Sequence, residues 1–207
     1  MLEANAFDTI CHEHLEYYAF RQIRSLLESH GLRVVSTQYN ASNGGSARIV
    51  ACHRRARYVT DTASVAAAEA RERSLGVDQI GTYHRFAERA HATRRDLRQL
   101  LDRALADGQR IHVYGASTKG NTLLQFCGID DSVVEAASER NPQKWGRRTP
   151  GTNIPIISEA ESRSSAPEYL LVLPWHFRDE FVVREAPYIA SGGKLIFPLP
   201  TLSVYPA

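Results

Sequence analysis

Arg110-Ile111-His112-Val113-Tyr114-Gly115-Ala116-Ser117-Thr118-Lys119-Gly120-Asn121-Thr122 runs from a short apolar stretch through a small polar loop into a helical segment. A strand that ends on glycine and feeds straight into a helix is the opening unit of an α/β sheet. Downstream, Val133 to Ser138, Tyr169 to Leu173 and Lys194 to Phe197 read as three further strands. Helical segments at Ser158 to Ser164 and Phe177 to Pro187 separate them. Strands alternating with helices predict a parallel sheet covered on both faces.

The loop carries chemistry as well as topology. Unpaired backbone N–H groups and the dipole at a helix start favour an anion. Glycines allow close approach, Ser117 and Thr118 offer hydrogen bonds, and Lys119 adds charge. The run nearly matches a nucleotide-hydrolase phosphate loop, but its lysine precedes the second glycine, and no G-x-G-x-x-G is present. A phosphate site and a plain strand-to-helix turn both remain open. Further on, Asn141-Pro142-Gln143-Lys144-Trp145-Gly146-Arg147-Arg148 places three basic side chains beside a tryptophan. That suits a base and a diphosphate, or equally an exposed solvated loop. Pro174-Trp175-His176-Phe177 ends another strand, again at the edge where such sheets bind ligands.

Working back toward the N-terminus, the grammar differs. Phe20, Ile23, Leu26 and Leu27 recur at helical spacing and Gly31 caps them. Leu32 to Tyr39 and Ala47 to Cys52 form a hairpin around the turn Ala41 to Ser46. Thr60 or Asp61 caps an Ala-rich helix that ends at Gly76. A longer helix follows, with Phe86, Ala90, Leu97, Leu101 and Leu105 on its apolar stripe and Arg89, Arg94, Arg95, Arg98 and Arg103 on the other face. Those arginines read as a solvated face or as an anionic-ligand patch. The expected division is residues 1–108, an α+β segment, and residues 109–207, the sheet half.

Composition bounds the class. At 207 residues, 43% hydrophobic and 23% charged, the chain is an ordinary globular protein with material for a core. A net charge of +2 does not call for nucleic acid. Lysine occurs only at Lys119, Lys144 and Lys194, so each is conspicuous. Three scattered cysteines (Cys11, Cys52, Cys127) do not make a disulfide framework and suit a reducing cytoplasm. No signal peptide or membrane-spanning run is present, so no membrane partner is expected.

The densest chemistry lies near the start, in Phe7-Asp8-Thr9-Ile10-Cys11-His12-Glu13-His14-Leu15-Glu16-Tyr17. A metal site is not expected, because adjacent ligands do not converge and no C-x-x-C completes them. A histidine beside a carboxylate suits proton transfer near neutral pH.

This run resembles the F-D-x-I-Y-H-E-H-x-x-Y signature of the nucleotide-sugar C-methyltransferases, which act on deoxysugars. Gly44-Gly45-Ser46-Ala47-Arg48 is similar to that family's G-G-S-x-R element. Tyr114-Gly115-Ala116 with Lys119-Gly120-Asn121-Thr122-Leu123-Leu124 resembles its Y-G-A-x-x-K-G-N-T-L-L stretch. Asn141-Pro142-Gln143-Lys144, Thr149-Pro150-Gly151 and Ile154-Pro155-Ile156 continue in order, so the resemblance covers almost the whole chain. It implies an α/β fold with a Rossmann-like sheet, preceded by a small α+β segment with a hairpin and long helices. It also implies His14 as the base that removes a proton beside a ketone, with Glu13 as its companion. Ser117, Lys119, Asn121, Lys144, Arg147 and Arg148 are the expected binding residues for a nucleotide-diphosphate sugar. Full-length members carry a zinc domain and an S-adenosylmethionine domain ahead of this region. Neither is recognisable here, so this chain alone is expected not to bind S-adenosylmethionine. A separate cofactor domain or subunit would then complete it, and the chain would be a fragment, a truncated product or a split-enzyme partner. The alternative is a non-catalytic sugar-nucleotide-binding module. Cys11 stands where the family has tyrosine, which removes a phenol from the site.

Overall fold

The computed structural model describes residues 1–207, apart from the side chain of Asn43. It forms two compact units, His14–Ala87 and, separately, Met1–Glu13 with Glu88–Ala207.

The His14–Ala87 unit contains α1 (Phe20–Ser29), β1 (Leu32–Asn40), β2 (Ser46–His53), α2 (Thr62–Leu75) and the beginning of α3 (Ile80–Ala106). β1 and β2 pair antiparallel from Leu32↔His53 to Asn40↔Ser46, with one irregularity between Val34 and Ser36. Gly45 takes φ 125° in the turn, a conformation that an L side chain rarely adopts. Phe20, Val34 and Ala68 are the buried centre, with Leu27, Ile49 and Val65 packed on them. Asp61, one of the two expected caps, accepts the Ser64 N–H at 3.0 Å and starts α2. α1 has no side-chain cap of its own. Instead Glu72 of α2 accepts the backbone N–H groups of Phe20 and Arg21, which no local pattern announces.

The second unit is built on a sheet. Its elements are β3 (Ile111–Tyr114), α4 (Thr118–Cys127), β4 (Ala136–Glu139), β5 (Ile156–Ser158), α5 (Glu159–Ser164), β6 (Tyr169–Val172), α6 (Arg178–Arg184), α7 (Ala186–Ala190), β7 (Lys194–Phe197) and β8 (Ser203–Tyr205). The strand order is β5-β4-β3-β6-β7-β8. All neighbours are parallel except β7 and β8. With β3 counted as the first strand, this is the doubly wound order of the Rossmann fold. The order reverses between β3 and β6. Every residue of β3 is buried, as are Leu170, Leu171 and Val172 of β6, the signature of a sheet flanked by helices on both faces. Leu97 and Leu101 of α3 and Leu123 and Leu124 of α4 are fully buried in the same core. Arg98, on the polar face of α3, pairs with Asp102 at 2.9 Å and donates to the Gly128 carbonyl at 2.6 Å, ending α4.

Six strands stand where four were expected. β5 is three residues long and β8 is a three-residue antiparallel edge, both too short to show periodicity. The run from Val133 begins in a turn. The Asp130 side chain accepts the Ser132 N–H and holds Val133 and Val134 out of the strand. The expected helix to Pro187 is two helices. Proline lacks an N–H, so Pro187 sits in the first turn of α7 rather than inside a longer helix.

Candidate functional site

The loop after β3 leaves the sheet at the reversal of strand order, the place where open α/β sheets bind ligands. Gly115 takes φ 90°, and a Cβ there would meet Pro174 at 3.0 Å. Ser117 then caps α4, its Oγ accepting the Gly120 N–H at 3.1 Å. A Cβ on Gly120 would lie 2.5 Å from Leu173 Cδ1. Glycine at this position therefore lets α4 start directly against the end of β6.

Beside the loop lies a cleft of about 450 Å³. Gly115, Ser117, Glu139, Lys144, Phe177 and Arg184 are among the residues lining it. Glu139, at the end of β4, ties its floor together. One carboxylate oxygen accepts the N–H groups of Arg140 and Asn141 at 2.9 and 3.0 Å. The other accepts the Ala116 N–H at 3.0 Å and Lys144 Nζ at 3.2 Å. Burial alone would raise the Glu139 pKa, but the N–H groups of Asn141 and Ala116 and the Lys144 ammonium outweigh it and hold the carboxyl below its ordinary value. Lys144 Nζ also donates to the Ala116 carbonyl at 2.7 Å. Trp145 Nε1 donates to the Glu139 carbonyl at 2.8 Å.

The lining residues Tyr114 and Arg184 belong to a charge network centred on buried Glu185. Glu185, 1% exposed, accepts from the Tyr114 hydroxyl at 2.6 Å and from Arg163 at 2.7 and 3.2 Å. Burial would raise its pKa, but Arg163 and Tyr114 hold it down. Burial, with Glu185 beside it, drives the Tyr114 phenol well above its ordinary value. Arg184 stacks on Tyr114 and Phe181, 5.1 and 5.2 Å from their ring centres. It also bonds Glu159 and the Tyr114 hydroxyl.

A second polar group lies at the start of α4. Asp8 is 2% exposed and accepts the Trp175 indole N–H at 2.9 Å. Its Oδ1 is buried and has no hydrogen-bond partner among the described residues. Burial raises the Asp8 pKa, partly offset by Trp175, Lys119 and His176. Burial, reinforced by Lys119, lowers that of His176, favouring the neutral imidazole. Glu13 Oε1 accepts from Thr118 Oγ1 at 3.3 Å, which puts it on the first residue of α4.

The structure thus gathers Ser117 and Lys144 at the cleft, and Lys119 near Asp8 and His176. The Asn121 Oδ1 is buried and unpartnered among the described residues. Arg147 is exposed, its backbone pairing with Ile156. Arg148 reaches the Asn153 carbonyl at 2.6 Å and Asp131 at 3.5 Å. Neither arginine lines the cleft. In the His14–Ala87 unit, the His14 ring meets Tyr17 edge-on, 6.4 Å between centres. Among the described residues no group of three or more His, Cys, Asp or Glu could hold a metal. Nor is any helix long and apolar enough to cross a membrane. Sequence reasoning did not single out Asp8, Glu139 or Glu185. Glu139 had one available signal, an acidic residue ending the strand after a glycine-bounded loop.

A strand-end cleft beside a capped helix start, in this strand order, is the setting in which a family match can be tested. The model of the C-methyltransferase C-terminal domain matches residues 41–200. The chain belongs to this family. It is also 37% identical to the C-methyltransferase NovU of Streptomyces niveus over 200 residues, which is 97% of this chain and 47% of NovU. The chain therefore spans about half the length of that relative. Within the C-methyltransferase C-terminal domain, the matched region takes in the hairpin turn and all six strands of the sheet except β8.

Proposed function

We propose that the chain is the substrate-binding, base-supplying part of an S-adenosylmethionine-dependent C-methyltransferase that acts on a nucleotide-linked keto-deoxysugar. The observation that carries this reading is the cleft at the strand-order reversal, beside the capped start of α4, in a chain of this family. Lys119 and the N–H groups opening α4 would meet the diphosphate, with Ser117, Asn121 and Lys144 around it. Arg147 and Arg148, exposed on the following loop, would meet the nucleotide from outside the cleft.

The proton step belongs to the Glu13–His14 pair. His14 takes the proton from the carbon beside the sugar ketone; the C–H pair becomes the C=C bond, and the C=O π pair moves onto oxygen as an enolate. Glu13, hydrogen-bonded to Thr118 at the start of α4, is its companion in the site. S-adenosylmethionine supplies the methyl group to such a carbon in full-length relatives of this kind. The residues here do not fit that cofactor. In this reading the loop after β3 takes an anion, while the donor carries a cationic sulfonium. Glu139, the carboxylate nearest the loop, is already saturated by four donors. In this reading residues 109–207 are the nucleotide half, and a separate domain or subunit supplies the donor site.

Titration calorimetry with a thymidine diphosphate sugar and with S-adenosylmethionine tests this. Binding of the first and not the second is expected. No heat with any nucleotide diphosphate sugar would end the proposal.

A further inference from the structure

We propose that Asp8 is a positioning residue: by accepting the Trp175 indole N–H it ties the turn Phe7–Thr9 to the segment after β6, and so holds Glu13 against Thr118 at the start of α4. The inference rests on the proposed role of Glu13 and extends it to a residue outside the proton-handling pair.

The bond joins groups 167 positions apart in the sequence. Apolar packing already brings the turn into place. Phe7 is 4% exposed, and its ring centre lies 5.0 Å from that of Phe126 on α4. Asn5 Nδ2 donates to Thr93 Oγ1 at 3.2 Å on α3. The Phe7–Phe126 packing is non-directional, and the Asn5–Thr93 hydrogen bond fixes the chain before the turn rather than the heading of the chain beyond it. A hydrogen bond from a rigid indole N–H is directional.

Its cost supports a specific role. Asp8 is buried with one oxygen unpartnered among the described residues, an arrangement that an apolar side chain would avoid. The titratable groups facing it are the Lys119 ammonium on α4 and the His176 imidazole in the turn after β6. Lys119 directly follows Thr118, the residue that Glu13 meets. Trp175 is itself held in place, its ring 5.5 Å from that of His176 and edge-on to it. The segment carrying Glu13 is therefore anchored five residues upstream to the turn that follows β6.

Amide hydrogen exchange and the indole N–H resonance of Trp175, measured on the full chain, test this without any ligand. The variants are Asp8→Ala, Asp8→Asn and Trp175→Phe. Asp8→Ala and Trp175→Phe should speed exchange at Thr9, Ile10 and Cys11 at least tenfold while β3 and β7 keep their protection. Asp8→Asn should restore both that protection and the downfield indole resonance, because its amide oxygen accepts the same bond. Unchanged exchange in Asp8→Ala, or an Asp8→Asn protein indistinguishable from it, would overturn the assignment. So would a uniform loss of protection through β3 and β7, which would make Asp8 a general fold residue. A wild-type chain that fails to bind nucleotide sugar would defeat the proposed function, yet these exchange results would still stand or fall on their own.

Discussion

At the residue scale, the site is defined by where charge is placed and what it already touches. Lys119 has no ion pair within 4 Å among those the structure shows, whereas Lys144 is shared between Glu139 and the Ala116 carbonyl. Lys119→Ala should therefore weaken nucleotide-diphosphate binding by about 1–3 kcal/mol, the range of a charged hydrogen bond, as read by calorimetry. An unchanged affinity would remove Lys119 from the site. Glu139 makes a different prediction. Its folded pKa lies below the ordinary value of 4.5, so its stabilisation is present above that pH and fades as pH falls through the folded pKa. In urea unfolding, Glu139→Gln should be less stable than wild type at neutral pH by roughly 1–3 kcal/mol, since it strands N–H donors. The gap should close on acidification below about 4.5. A gap independent of pH would mean that the charge is not what Glu139 contributes. The residue types in Cys11 to His14 and in the loop after β3 were readable as chemistry, because each cluster carries its own functional groups. Asp8 and Glu139 were not readable. Each is an ordinary acidic residue until its partners, Trp175 and Ala116, are brought beside it.

At the scale of elements, the strand–loop–helix unit of β3 and α4 was legible because both of its signals are local. Ile111 to Tyr114 is an apolar run, and Ser117 is a capping residue ahead of a helix former sequence. What the pattern does not carry is why position 120 is glycine. The structure shows α4 and the end of β6 in contact there, with 2.5 Å to Leu173 Cδ1 for any added Cβ. Gly120→Ala should cost about 1–3 kcal/mol by overpacking, measured as a lower urea midpoint at constant slope. A neutral substitution would mean that α4 can shift outward freely. The short strands β5 and β8 escaped the periodicity for a related reason. Three-residue strands have no period to read, and they exist because a neighbouring strand offers its hydrogen-bond edge.

At the scale of the whole molecule, the two units differ in how much apolar surface they close. The buried centre of His14–Ala87 is Phe20, Val34 and Ala68. β3, β6 and β7 contribute nearly every residue to the core of the sheet. Hydrogen exchange should accordingly find β3, β6 and β7 opening with the global free energy and the β1–β2 hairpin opening more cheaply. Equal protection in the hairpin and the central strands would show one cooperative core instead. The class of the molecule followed from the sequence by itself: alternating apolar runs and helices made a parallel sheet, and ordered motifs from Phe7 to Ile156 marked the family. Such signals are local or linear, since each depends on residues close together or on motifs met in order. Only the tertiary structure decided which polar groups meet. Strand order brings Glu139 to Ala116, Glu185 to Tyr114 and Trp175 to Asp8. Those bonds form across long sequence separations, where the energy of pairing depends on burial and direction that only the packed sheet supplies.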